Sequence, residues 1–159
     1  MSAVTLSTRA LRVEDAGEVL TLQRAAYVPE ARRYRDPELP PLTQSLDDVR
    51  AELARPDVVG LGVRDDGRLI AAVRLRIDGA VAHLGRLVVA PDRQGEGIGS
   101  DLLAACERVL PPEVAEIRLF TGSRSEETIR LYERIGYVRQ YETPEATHDL
   151  VHLTKRLWA

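Results

Sequence analysis

One stretch decides the predicted fold of this chain: Leu87-Val88-Val89-Ala90-Pro91-Asp92-Arg93-Gln94-Gly95-Glu96-Gly97-Ile98-Gly99. Residues 87–90 are apolar on both faces, which is typical of a central strand. The glycines that follow let the backbone adopt positive φ and approach a ligand closely. Free N–H groups at the start of the next helix attract phosphate, and Arg93 adds a cation at the mouth of the loop. The stretch therefore predicts an anion site that needs no metal.

Known phosphate-binding loops fit this stretch poorly. It lacks the Lys-Ser/Thr ending of a P-loop, and its glycines at 95, 97 and 99 do not form the G-x-G-x-x-G pattern of a dinucleotide site. It also follows the fourth predicted strand rather than the first. A glycine-rich connector that binds nothing stays open on the loop alone.

Strands and helices alternate on both sides of the loop. Apolar alternation and turn signals such as Asp66-Gly67 predict strands at 4–9, 58–63, 69–77, 81–89, 116–121, 137–142 and 148–157. Helical spacing predicts helices over about 14–27, from Ser45 as N-cap, from Ile98 to Leu110, and from a Ser123/Glu126 capping box to a stop at Gly136. The proline-rich stretch between the first two helices is predicted to be a surface loop. The order β-α-α-β-β-β-α-β-α-β-β predicts a mixed α/β sheet in one domain over residues 1–159.

Bulk composition narrows the class of protein. The chain has 159 residues, 44% hydrophobic and 30% charged, which is typical of a soluble globular domain. It shows no stretch long and apolar enough to span a membrane and no signal sequence, so we expect a cytoplasmic protein without membrane partners. Its net charge of −3 argues against nucleic-acid binding, and its single cysteine excludes an intramolecular disulfide. Cys106 lies on the apolar stripe of a predicted helix and is expected to be a packing residue.

Two motifs in this order resemble the GNAT superfamily of N-acetyltransferases. Gln94-x-x-Gly97-x-Gly99 is similar to the acetyl-CoA loop of that family, and residues 131–137, Leu-Tyr-Glu-Arg-Ile-Gly-Tyr, are similar to its L-Y-x-x-x-G-[FY] segment. The resemblance implies a GNAT-like fold and direct transfer of acetyl from acetyl-CoA to a primary amine of a small molecule or peptide. It is also compatible with a homodimer.

The resemblance also assigns roles to individual residues. It implies that acetyl-CoA is bound by the end of the fourth strand and by the loop with its helix start: Leu87, Val88, Val89, Arg93, Gln94, Gly95, Glu96, Gly97, Ile98, Gly99 and Ser100. The backbone N–H of Val89 would polarise the thioester carbonyl. Tyr132 would protonate the departing thiolate, which is feasible because a free thiol has a pKa of about 8.5 and tyrosine about 10.

Two positions depart from the family pattern. Phe120 stands where some relatives carry an acid, and Ser125 stands where many carry an asparagine that contacts CoA. The shorter Ser125 hydroxyl is expected to take over that CoA contact, unless it only forms the helix start. A general base is therefore not evident; His83 is the best-placed candidate, although a lone histidine near a core strand is more often structural. No residues have metal-ligand spacing.

Substrate identity is left open. The arginines of the stretch between residues 27 and 45 favour an acceptor with a carboxylate or phosphate, whereas the acidic residues of the same stretch favour a polyamine. The default interpretation of the stretch is a solvated loop. Because no base is evident, a GNAT-like module that binds acetyl-CoA as a sensor without turnover is the alternative function.

Overall fold

The computed structural model describes residues 6–158, which contain one sheet of seven strands. The strands are β1 Leu6–Ala10, β2 Val58–Asp65, β3 Arg68–Asp78, β4 Val81–Val89, β5 Glu116–Gly122, β6 Val138–Thr143 and β7 Leu150–Arg156. Their order across the sheet is β1-β2-β3-β4-β5-β7-β6. The predicted mixed α/β fold and all seven predicted strands are confirmed, except that residues 4 and 5 of the first lie outside the described residues.

Six helices connect and cover these strands within the described part of the chain. They are α1 Ala16–Ala26, α2 Val28–Tyr34, α3 Pro40–Thr43, α4 Leu46–Leu53, α5 Ile98–Val109 and α6 Glu126–Ile135. None of them, within residues 6–158, has the length and apolar character that crossing a bilayer requires. Cys106 of α5 is fully buried, as its place on the apolar stripe predicts.

Strands β1 to β4 form an antiparallel meander with short connections. The turn between β2 and β3 places Asp66 at φ 49° and Gly67 at φ 87°, the left-handed pair that a two-residue hairpin of matching twist requires. Every residue of β3 from Leu69 to Leu75 is buried, so both faces of the sheet are covered here. Helices α1 and α5 both pack against this strand.

A gap opens between β4 and β5. These two strands run parallel and pair only through Val81–His83 with Glu116–Arg118, although β4 continues to Val89. Beyond this seam β5 pairs with β7, and β7 with β6, in antiparallel fashion. The sheet therefore has two halves that separate at the carboxyl end of β4.

A bulge bends β4 just before the gap. Ala72 pairs with Val88 while Arg74 pairs with Gly85, so Arg86 and Leu87 together stand opposite a single residue of β3. Arg86 takes up the extra length in the left-handed region at φ 57°. Bulges of this kind redirect side chains and are frequent next to functional sites.

Two predictions on the helices are wrong. The proline-rich stretch after the first helix is not a loop but contains α2 and α3, because Pro29, Pro40 and Pro41 sit in first turns, where the missing N–H is not needed. The capping box at Ser123 is absent as well: α6 begins after Ser125, and the Ser123 N–H instead donates to the Asp149 carbonyl at 2.9 Å. The Ser45 cap of α4 and the stop at Gly136, with φ 111°, are confirmed.

Candidate functional site

A cavity of about 470 Å³ fills the gap between the two halves of the sheet. Its walls are the junction of α1 and α2, residues 84–89 of β4, the glycine loop with the first turn of α5, the end of β5, and one face of α6. Of the predicted acetyl-CoA residues, all line this cavity except Glu96 and Ser125. The structure thus brings most of the predicted site together.

The glycine loop presents its backbone to the cavity. Gly95 and Gly97 have φ of 80° and 81°, and a Cβ built on either would meet no atom of the described chain within 4 Å. Gly97 is the N-cap of α5, and no described side chain caps the helix. The N–H groups of its first turn therefore remain available to an anion, with the helix dipole in support. The loop is therefore suited to hold an anion of phosphate type.

Arg93 lines the cavity but is already paired. Its guanidinium donates to Asp65 at 2.7 Å and to Glu96 at 2.9 Å, and these bonds raise its pKa above the ordinary arginine value. The neighbouring Asp92 pairs with Arg68, which lowers the pKa of Asp92 to about 2. The charged side chains of this loop are therefore paired with one another and with neighbouring strands, and its backbone N–H groups are left to face the cavity.

The N–H of Val89 points into the gap. The Ala90 N–H donates to the Ile70 carbonyl at 2.8 Å across β3, and adjacent residues of an antiparallel strand direct their N–H groups to opposite sides. Val89, which stands opposite Ala71, therefore turns its N–H away from β3. The seam with β5 has ended at His83, so no described strand pairs with this N–H.

Tyr132 lies on the opposite wall. It is only 5% exposed, lines the cavity, and packs edge-on against Tyr137 with ring centroids 5.4 Å apart. Burial, followed by the nearby Tyr27, raises the pKa of Tyr132 well above the ordinary tyrosine value. The hydroxyl therefore stays protonated at neutral pH.

Ser125 is buried at the contact between α6 and α2. It is fully buried, its Oγ donates to Glu30 Oε2 at 2.6 Å, and it shares a 2.7 Å hydrogen bond with the Tyr34 hydroxyl. Glu30 also accepts from Arg33 at 2.7 Å. Ser125 thus ties the start of α6 to α2 and helps fix the cavity wall that carries Glu30.

Five polar side chains lie together next to the β4 bulge. We call them the Arg74 cluster: Gln23, Gln44, Glu52, Arg74 and Arg86. Arg74 is 4% exposed, forms an ion pair with Glu52, and donates to the side-chain oxygens of Gln23 and Gln44 at 3.0 Å each. Burial lowers the pKa of Arg74, an effect that Glu52 opposes. Arg86 reaches the same Gln44 oxygen at 3.5 Å and lines the cavity.

Sequence reasoning missed Arg86 and the partners of Arg74. An arginine in the middle of an otherwise apolar strand was the available signal for Arg74, since a buried cation requires partners. No pattern in the sequence indicated the bulge that places Arg86 in the cavity.

His83 is not among the described residues that line the cavity. It stands in the seam, opposite Arg76 on β3 and Arg118 on β5, and is half-buried. Burial and these two arginines lower its pKa, so the neutral form is favoured. The structure does not bring His83 to the loop and Tyr132.

Comparison with known proteins supplies the family. The acetyltransferase (GNAT) family model matches residues 19–137, and the chain belongs to this family. Among curated proteins, the S-(2-succino)cysteine N-acetyltransferase of Bacillus subtilis (strain 168) is 31% identical over 106 residues, which is 60% of this chain and 64% of that protein. The mycothiol acetyltransferase of Kineococcus radiotolerans is 31% identical over 99 residues, 60% of this chain and 32% of that protein. The chain thus spans less than two thirds of the length of these relatives.

Solved structures share the fold over nearly the full length. The PaiA N-acetyltransferase of Thermoplasma acidophilum, in complex with coenzyme A, has a TM-score of 0.82 at 21% identity and covers 98% of this chain and 99% of its own. The ribosomal-protein-S18-alanine N-acetyltransferase of Escherichia coli has a TM-score of 0.80 at 18% identity, with 96% and 94% covered. At these identities the likeness concerns the fold.

Proposed function

We propose that the protein is an N-acetyltransferase that transfers acetyl from acetyl-CoA to a primary amine of a small molecule or a peptide. The observation that carries this proposal is a single cavity that joins three groups. These are the first-turn N–H groups of α5, the unpaired N–H of Val89, and the protonated hydroxyl of Tyr132.

Binding is assigned to the backbone. The loop from Gln94 to Ser100 holds the pyrophosphate through N–H groups, which requires the open space beside Gly95 and Gly97. The end of β4, Leu87 to Val89, offers its unpaired edge to the extended arm of the cofactor. Acetyl-CoA supplies the thioester that the amine attacks.

Two groups of the chain act on the reaction. The Val89 N–H donates to the thioester oxygen, where negative charge develops, and an interaction of this type contributes about 10²–10³ in rate. Tyr132 donates its proton to the departing sulfur as the carbon–sulfur bond breaks. The neutral amine forms the new carbon–nitrogen bond and releases one proton to water, and Tyr132 regains from water the proton that it gave to sulfur. The products are the N-acetylated acceptor and CoA with its free thiol.

The names of related proteins support the reaction more than the acceptor. Relatives and structural neighbours are named for S-(2-succino)cysteine, for the alanine of a ribosomal protein, and for spermidine. These acceptors share a primary amine and differ in charge and size. We therefore propose the primary amine as the common requirement.

A second candidate function is a module that binds acetyl-CoA without turnover. It is favoured by the missing base: no histidine is among the cavity-lining residues that the structure describes, and Phe120 lines the cavity where some relatives carry an acid. Two carboxylates line the cavity, Glu30 and Glu127. Arg33 and Ser125 already donate to Glu30, and Glu127 lies on the exposed first turn of α6.

Calorimetry followed by a rate assay tests both candidates. We expect saturable binding of acetyl-CoA, with ATP much weaker as the control nucleotide. Amines are then screened for release of the CoA thiol. Binding with no release for any amine selects the second candidate, and no binding at millimolar acetyl-CoA rejects both.

A further inference from the structure

Arg86 is a cation without an acidic partner. It lines the cavity, is half-buried, and forms no ion pair with any residue between 6 and 158. Its one hydrogen bond, from Nε to Gln44 at 3.5 Å, is long, because the Gln44 oxygen already accepts from Arg74 and Gln23. A guanidinium has five N–H donors, so most of those on Arg86 remain available in the cavity.

The backbone at Arg86 is also unusual. Its φ of 57° lies in the left-handed region, which disfavours any residue with a side chain. Outside turns and helix ends, strained backbone of this kind clusters at active sites and ligand clamps. Here the bulge places a charged side chain in the cavity near Tyr27, whose pKa is raised by burial, an effect that Arg86 opposes.

Arg86 also makes this end of the cavity cationic. Arg33 is neutralised by Glu30 at 2.7 Å, and Arg74 by Glu52. Among these five side chains Arg86 alone is unbalanced, which leaves one positive charge in excess beside them and disfavours a polyamine there. The other charged residues of the lining are Arg93, which is paired, and Glu127 and Arg134, whose charges are opposite. Its planar fork matches a carboxylate in bidentate geometry.

The distance along β4 between Arg86 and Val89 limits the size of the acceptor. Arg86 lies three residues before Val89, which at strand spacing is within roughly 10 Å. Because the long Arg86 side chain covers part of this separation, a reacting amine near Val89 and a carboxylate held by Arg86 can belong to one small molecule.

We propose that Arg86 binds a carboxylate of the acceptor, so that the acceptor is an α-amino acid or a conjugate that keeps its carboxylate, and not a polyamine. The proposal rests on the acetyl transfer proposed above. It adds a substrate class and one residue that selects it.

Matched acceptors test this assignment. CoA release is measured for a set of L-amino acids that includes S-alkylated cysteines, for the α-amide of each, and for spermidine. One charge-assisted hydrogen-bonded contact predicts that kcat/KM is about 10- to 100-fold higher for the acid than for its amide. Amides or spermidine that react as well as the acids would overturn the proposal.

Two variants of Arg86 carry the test to the residue. Arg86→Asn removes the cation while asparagine tolerates the left-handed backbone, and we expect the acid-to-amide ratio to fall close to one, chiefly through KM for the acid. Arg86→Lys retains part of the ratio. Arg76 is an exposed arginine of β3 that does not line the cavity. The variant Arg76→Gln is therefore the matched control, and we expect it to keep the full acid-to-amide ratio of kcat/KM. Acetyl-CoA affinity, measured by calorimetry, verifies that each variant is folded.

A failure of the proposed function is distinguishable from a failure of this inference. If no acceptor is acetylated, the transfer reaction is rejected, and Arg86 is judged by binding alone. N-acetyl amino acids and their amides are then titrated into the protein with CoA present. Equal affinity for acid and amide, or an unchanged preference in Arg86→Asn, overturns the carboxylate site.

Discussion

Gly97→Ala separates the two reasons for a glycine at the start of α5. The residue has φ 81° and lines the cavity, and a Cβ there meets no atom of the described chain within 4 Å. An alanine therefore fits the folded protein sterically but adopts an unfavourable backbone conformation. Its methyl group also enters the space that we assign to the pyrophosphate.

The two effects have different magnitudes and readouts. A left-handed alanine costs about 1–2 kcal/mol, which for a domain of this size corresponds to a fall in Tm of about 2–8 °C. If the phosphate contacts the loop backbone, we expect the Kd for acetyl-CoA to rise at least about tenfold, or about 1.4 kcal/mol.

Gly67→Ala is the matched control. Gly67 has φ 87°, its Cβ is equally unobstructed, and it lies in the turn between β2 and β3 rather than in the cavity. We expect a similar loss of Tm and an unchanged Kd by calorimetry. If Gly97→Ala binds acetyl-CoA as tightly as Gly67→Ala, the loop does not hold the cofactor and the site is misassigned.

Three further predictions follow from other residues. Tyr132→Phe should lower kcat about 10²-fold at constant acetyl-CoA affinity, and full kcat in the variant would contradict the role of Tyr132 as the acid. Because burial raises the pKa of Tyr132, wild-type kcat should show no loss of this proton below about pH 10, and an alkaline limb at lower pH that disappears in the variant would contradict the raised pKa. Glu52→Ala should destabilise the protein by about 1–3 kcal/mol in urea unfolding, since it leaves Arg74 buried without its carboxylate, and adding Arg74→Met should recover much of the loss. Burial raises the pKa of Cys106 to about 12, so the native protein should not react with a thiol reagent at pH 8 and should react once unfolded; rapid native labelling would show that the helix opens.

The sequence predicted the fold well wherever periodicity and glycine chemistry act locally. The strands of the meander, the Asp66-Gly67 turn and the stop at Gly136 each depend on a few neighbouring residues. The stretch after the first helix was mispredicted because prolines mark both loops and first turns of helices. Only tertiary packing, such as burial of Tyr34 against Ser125, selects between these two readings.

The loop and the end of β4 that were predicted to hold the cofactor do line the cavity, and the stretch expected to border the acceptor contributes Tyr27, Glu30 and Arg33 to it, whereas Arg86 was missed. The loop and the end of β4 are contiguous in sequence, so a motif identifies them. Arg86 and Tyr27 meet in the cavity only because a bulge and a helix junction bring them together, and no spacing encodes that contact. Neither the role of Ser125 as a CoA contact nor that of His83 as a base gains support from its position. One domain over residues 1–159, a cytoplasmic location and a homodimer stay predictions.

The gap between β4 and β5 also protects the sheet against self-association. An unpaired strand edge is normally a template on which another sheet can grow, and outer edges invite such aggregation. The edge at Val89 is flanked by β5 across a wedge that narrows to the seam at His83, so a second sheet cannot lie flat against it. A narrow extended chain can enter, and a folded β-structure cannot. The same divergence of two strands thus keeps backbone hydrogen-bonding groups available to a ligand while denying them to a neighbouring protein.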